Sequence, residues 1–180
     1  MQKQSLIKRL VYTAAFAALC CIATWLLVIP LPHGYFNVGD VFVLLAGWCL
    51  GPLFGGLAAG LGGALADVFS GYALYAPVTL IVKALMSMTA YYLYRLLKKC
   101  IEKQSLDFLP RAIAAIVAEV LMVLGYFTFE TILYGIAGGA AGLLGNTMQG
   151  MICAFGGVTL VLAMRAIPFF KKYFPLLWKK

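Results

Sequence analysis

Long apolar runs alternate with short basic segments along the whole chain, and this alternation restricts the fold more than any single motif does. Residues 10–29 hold no charged group and cover about 20 positions, the length a helix needs to cross a hydrocarbon core of about 30 Å. Apolar types make up 64% of the chain and charged types 11%, against roughly 25% charged in a soluble domain. A water-soluble core cannot hide that much apolar surface, so lipid is the solvent for most of the length. The net charge of +8 does not point to nucleic acid, because the basic residues sit between apolar runs, as in the loops on one face of a membrane protein. The 180 residues read as a single all-α membrane domain, 1–180.

Proline, glycine and charge place the spans. Helices are expected over about residues 6–29, 36–51, 52–69, 76–97, 110–133 and 142–164, with an interfacial tail over 165–180. Between Asp40 and Asp67 there is no charged residue, which fits either one long span or two short ones. A single span would divide the basic residues between both faces. A reversal at Gly51-Pro52 instead gathers all but one of the 14 Lys and Arg residues on one face, as the positive-inside tendency favours. Pro52 supports the break, since proline disfavours helix in the residue before it. The expected topology is six transmembrane helices with the N- and C-termini cytoplasmic. Lys3, Lys8 and Arg9 precede a run too long for a cleaved leader, with no A-x-A site after it, so that run is read as the first span. The glycines and alanines of helix 3 read as a close-packing face, and Gly135 to Gly145 as an outer loop. The five cysteines read as packed thiols, with neither a metal site nor a disulfide framework.

Polar groups within a span are costly, and each asks for a partner or a function. Counted at about 1.5 Å per helical residue, Lys83 lies about 10 Å below the outer end of helix 4, Gln149 about 10 Å and Asn146 about 6 Å into helix 6. By the same count Glu130 and Tyr126 lie about 6 and 12 Å deep on helix 5. A cation, a carboxylate, two carboxamides and a phenol at one level would make a pocket for a small polar molecule. Tyr72 and Tyr75 lie just outside it, placed to stack on or cover a ring. An internal Lys83–Glu130 ion pair without a ligand is the alternative. Asp67 stands at a helix C-terminus, where a carboxylate is disfavoured, and is expected to pair with Lys83 across the mouth. Asp40 is expected to cap helix 2 near the outer rim. Glu119 is read as a pocket floor or a structural hydrogen bond, and His33 as either a solvent-exposed loop residue or a ligand contact. No P-loop occurs, and a single histidine excludes H-E-x-x-H zinc chemistry.

The stretch Tyr35-Phe36-Asn37-Val38-Gly39-Asp40 is followed by Leu44-Leu45-Ala46-Gly47, Leu50-Gly51-Pro52, a glycine-rich helix, Ala66-Asp67, Ser70-Gly71-Tyr72 and Lys83. Together they resemble the S-components of energy-coupling factor (ECF) vitamin importers. The likeness is densest over residues 30–90. It implies a membrane-embedded subunit that binds a vitamin-like ligand near the outer face, between helices 4 to 6 and under loop 1, with Asn37 and His33 in that loop. It also implies a transmembrane scaffold partner and two ATPase subunits that use the ATP, this chain binding no cofactor of its own. Ala14 and Ala18 match the family's A-x-x-x-A scaffold-docking motif, and the subunit is expected to topple in the membrane to release its cargo. Metal-carrying members begin Met-His; this chain begins Met1-Gln2, so metal cargo is not expected. A pyridoxine-like vitamin or hydroxymethylpyrimidine is favoured as ligand, with riboflavin next. The competing functions are a stand-alone proton-coupled carrier using Lys83, Glu119 and Glu130, and an intramembrane aspartyl enzyme built on Asp40 and Asp67.

Overall fold

A computed structural model describes residues 6–26, 29–30, 35–101 and 106–178. Helix α1 (Leu6–Leu26) leads through a two-residue ladder, β1 (Ile29–Pro30) antiparallel to β2 (Tyr35–Phe36), into α2 (Asp40–Leu50). Then follow α3 (Pro52–Phe69), α4 (Ala76–Cys100) and a helical run Phe108–Ala166 interrupted at Gly135. A short α6 (Phe169–Tyr173) and a 3-10 turn (Pro175–Trp178) end the described chain. The expected all-α character holds apart from the ladder, and α1 stops earlier than 29. Four elements are long and apolar enough to cross a membrane: α1, α3, α4 and the run Phe108–Ala166.

That run has 59 residues, about 88 Å if straight, nearly three hydrocarbon thicknesses. It folds back on itself instead. Gly135 has φ 76° and ψ 174°, a conformation that side chains resist, and it divides the run into arms α5a (108–134) and α5b (136–166). The arms pair antiparallel: Gly139 lies on Thr131, Gly142 on Glu130, Gly150 on Glu119, and Arg165 reaches Asp107. The loop expected over Gly135 to Gly145 is therefore helix. One residue makes the turn, and the glycines after it serve close packing between the arms.

Packing follows the small-residue logic of lipid-embedded helices. On α3, Leu53, Leu57, Leu61 and Leu65 point outward at helical spacing, whereas Ala58, Ala59 and Ala66 are fully buried. A Cβ at Gly60 would stand 2.6 Å from the Leu80 carbonyl oxygen of α4, and one at Gly62 would strike the Ala17 carbonyl of α1. These glycines let three backbones touch, which is what holds helices together where lipid is as apolar as leucine. Helix α2 is buried on every side from Val43 to Cys49. It has 11 residues against 18 in α3, about 16 Å against 27 Å, although the two meet at the reversal at Gly51 (φ 85°), where α2 ends and α3 begins. Its head therefore ends inside the bundle, about 10 Å short of the far end of α3.

The basic residues gather at the opposite end. Asp107, before α5a, receives Lys98 Nζ at 3.0 Å, Arg111 Nε at 2.9 Å and Arg165 Nη1, with Tyr94 OH at 3.1 Å. Burial opposes the charge of Asp107, but Arg111, Lys98 and Arg165 outweigh it and hold the carboxyl below the usual range. Arg111 is wholly buried, stacks on Tyr94 and donates to the Leu177 carbonyl at 3.0 Å. Phe174 packs on Tyr12 and Phe16 of α1. The tail expected to lie as an interfacial anchor is thus folded against the bundle, with Leu177 in the core and only Phe169, Lys171 and Lys172 markedly exposed between 169 and 178.

Gly60→Ala pushes a methyl into a backbone carbonyl, so a loss of about 1–3 kcal/mol is expected, measured as a lower melting temperature in detergent. Leu61→Ala, on the outward face, should change it much less.

Candidate functional site

The head of α2 lies where a longer helix would have filled the bundle, and polar side chains occupy the gap. Lys83 Nζ of α4 meets Asp40 Oδ1 at 2.5 Å, both side chains being 3% exposed or less. Gln149 Nε2 of α5b donates to Asp40 Oδ2 at 2.6 Å. Its Oε1 accepts from the Asn37 backbone N–H at 2.9 Å and from Asn37 Nδ2 at 3.2 Å. Asn37 Oδ1 takes the Gly39 N–H at 2.9 Å, and a Cβ on Gly39 would collide with Thr24. Three residues of Asn37-Val38-Gly39-Asp40 are thereby accounted for. Asn37 shapes the turn, Gly39 fits beneath α1, and Asp40 neutralises Lys83.

Three sequence expectations are corrected by this arrangement. Asp40 does not cap α2: the cap position is Gly39, without a side-chain cap bond, and the Asp40 carboxylate turns inward. Lys83 pairs with neither Glu130 nor Asp67. The shortness of α2 is the reason, since it lowers Asp40 from the rim to the level of Lys83. Asp67 instead accepts from Tyr35 OH at 2.5 Å. Burial and the Asp67 carboxylate raise the Tyr35 phenol, so it remains a donor at neutral pH. Glu119 makes no hydrogen bond among the described residues and does not line the cavity; it is buried against Gly150.

A cavity of about 30 Å³, room for one or two waters, opens above the ion pair. Its walls bring together Asn37, Asp67, Tyr75, Lys83, Tyr126, Glu130, Asn146 and Gln149, eight residues that the sequence singled out. Thr24, Tyr35 and Thr79 complete it. Hydroxyl residues inside apolar helices cost little, so Thr24 and Thr79 gave no signal; Tyr35 was legible as part of the loop motif. Tyr126 OH and Thr79 Oγ1 are 3.0 Å apart, and Lys83 Nζ stands 5.4 Å over the Tyr126 ring. Tyr72 is outside the wall, between Tyr35 at 4.8 Å and Tyr75 at 6.2 Å, and Phe129 continues the strip at 5.2 Å from Tyr75. His33 lies outside the described residues. Ala14 and Ala18 are exposed on α1, in the half of the helix braced by Phe174.

Residues 4–166 match the profile of a family described as "ECF-type riboflavin transporter, S component". A relative from Pyrococcus woesei, described as "Uncharacterized protein in gap 3'region", is 32% identical over 151 residues, covering 82% of this chain and 96% of the relative. Among solved structures, one described as "Structure and mechanism of the S component of a bacterial ECF transporter" superposes with a TM-score of 0.63. It is 22% identical and covers 93% of this chain and 99% of its own, a likeness of fold.

Removing Asp40 leaves a buried ammonium without its counter-ion. Asp40→Leu is expected to cost about 3–5 kcal/mol, seen as a marked fall in melting temperature. Pairing it with Lys83→Met should recover much of that loss, since an apolar pair of similar volume avoids the desolvation cost.

Proposed function

The chain belongs to the ECF-type riboflavin transporter S component family, a multi-pass membrane transport subunit and not an enzyme, and from that premise we propose that it captures a flat, hydroxylated vitamin in the cavity above the Lys83–Asp40 pair. The observation that carries this reading is a closed set of polar groups within an otherwise apolar bundle, at the end away from the basic residues. By the positive-inside tendency the basic end faces the cytoplasm of a prokaryotic cell, so the cavity faces outward. The family description moves the preferred ligand from a pyridoxine-like compound to riboflavin, and Tyr35, Tyr75 and Tyr126 offer rings against which a flat heterocycle can lie.

A cavity of about 30 Å³ cannot admit a vitamin as it stands. Its helix-borne floor is tied by the ion pair, whereas Tyr35 stands on a two-residue ladder and Tyr72 on the α3–α4 turn. Entry therefore proceeds by parting the Tyr35–Tyr72–Tyr75 strip, not by moving Lys83. Energy for release comes from two partner ATPase subunits through a transmembrane scaffold that docks on Ala14 and Ala18; this chain binds no nucleotide itself.

Purified protein should be stabilised against heat by riboflavin at micromolar concentration or below, without ATP. If no B-vitamin raised its melting temperature, the binding role would be lost. Proteoliposomes holding this chain alone should not concentrate the vitamin; proton-driven accumulation would make it a self-sufficient carrier. Ala14→Trp should abolish uptake by the complete complex while leaving ligand stabilisation intact, and surviving uptake would remove the docking assignment.

A further inference from the structure

A groove of about 210 Å³ runs along the outside of the bundle between α3 and α4, and it shares no residue with the polar cavity. Every residue on its wall is apolar or glycine. Leu53, Leu57 and Leu61 of α3 form one bank and Leu80 and Met88 of α4 the other. Gly56 and Gly60 lie between them and leave the floor without side chains. The three leucines of α3 are 47–63% exposed, so the groove opens toward lipid and not toward the core.

Its length and position say what fits it. The groove extends from Pro52 to Leu61 on α3, about 15 Å of helix and half of a hydrocarbon core of about 30 Å. It starts at the basic end of the molecule, where Gly51 lies against Leu176 of the tail and Arg9 of α1 stands 5.4 Å over the Phe54 ring. The groove therefore covers the depth of one leaflet, on the side of the basic residues. A partner's transmembrane helix is about 10–12 Å across and runs the whole thickness, which this slot does not match. A single hydrocarbon chain does match it.

Charge marks the end of the slot. Arg95 follows Met88 by seven residues, two turns along the same face of α4 and about 10 Å nearer the basic end. Lys98, Arg111 and Arg165 are gathered by Asp107, but Arg95 enters no hydrogen bond or ion pair among the described residues. Its Nη1 is buried and unbonded, while the residue as a whole is partly exposed. Lys99 is exposed one turn further on, and Tyr92, 56% exposed, stands between Met88 and Arg95 as aromatic residues do at a membrane–water interface. We propose that the groove and Arg95 together bind one anionic phospholipid of the cytoplasmic leaflet, with an acyl chain between α3 and α4 and the headgroup phosphate on Arg95. The phosphate supplies the counter-ion that the guanidinium lacks, in a geometry that arginine recognises. Basic sites between transmembrane helices on the cytoplasmic side suit such headgroups. The site stands whether or not the polar cavity holds a vitamin.

The test is native mass spectrometry of the purified full chain, released from detergent micelles doped with equal amounts of phosphatidylglycerol and phosphatidylcholine carrying the same acyl chains. One phosphatidylglycerol should be retained per chain, about fivefold over phosphatidylcholine, as one basic side chain near an anionic headgroup predicts. Arg95→Gln should bring the ratio close to one. Lys172→Gln, at an exposed lysine that does not line the groove, should leave it unchanged. Leu57→Trp places a ring over the slot and should lower retention of both lipids. Glycerol 3-phosphate, a headgroup without chains, should not displace the bound lipid. Equal retention of the two lipids by the unaltered protein would overturn the proposal, as would an unchanged ratio in Arg95→Gln. An equal loss in Lys172→Gln would mean attraction by diffuse charge, and displacement by glycerol 3-phosphate would mean an anion site without use of the groove; either overturns the lipid assignment. Full retention by Leu57→Trp would do the same. Melting temperatures report whether each variant folds, and if one does not, the ratio in the unaltered protein and the headgroup probe still decide.

Discussion

The buried pair between Lys83 and Asp40 organises everything around it. An ammonium and a carboxylate in so apolar an interior survive only if each lone pair and proton has a place to go. Gln149 and Asn37 provide that place, and in doing so they tie α4, α2, α5b and the loop ahead of α2 to one point. The cavity above inherits a fixed floor. Its aromatic side starts from the two-residue ladder, where Tyr35 stands, and from the α3–α4 turn, where Tyr72 stands.

Around this point the bundle is held by contact and not by water-driven burial. On α3 the large leucines face outward and the alanines and glycines face inward, the reverse of a soluble helix, while Leu44, Leu45 and Trp48 of α2 fill the centre. The same economy of side chain allows α5a and α5b to reverse on one glycine. At the far end, Asp107 repeats the floor's solution with more cations: one carboxylate gathers three basic side chains, and through Arg111 it also holds the tail.

Much of this was legible in the residues. Hydropathy and charge asymmetry gave the helices, and Pro52 with Gly51 marked the reversal that the structure contains. Depth counting along helices brought Lys83, Tyr126, Glu130, Asn146 and Gln149 to one level, and they do line one cavity. Partnerships were less accessible. A count along one helix says nothing of how far a neighbour is sunk, so Asp40 was placed at the rim when the brevity of α2 sets it beside Lys83. Gly135 to Gly145 misled for a different reason: glycine marks both turns and tight helix contacts, and only the partner helix distinguishes them.

The single-glycine reversal has a mechanical consequence. With no slack at Gly135 and with Arg165 clasped to Asp107 at the other end, α5a and α5b cannot slide past each other. They behave as a two-ply lever pinned at both tips, carrying Glu130 near one end and Arg111 near the other. Strain applied at the basic end is then delivered along the full thickness of the bundle without being absorbed by a loop. Across the cavity from this lever stand Thr24 of α1 and Tyr35 of the ladder, joined to the bundle through α3.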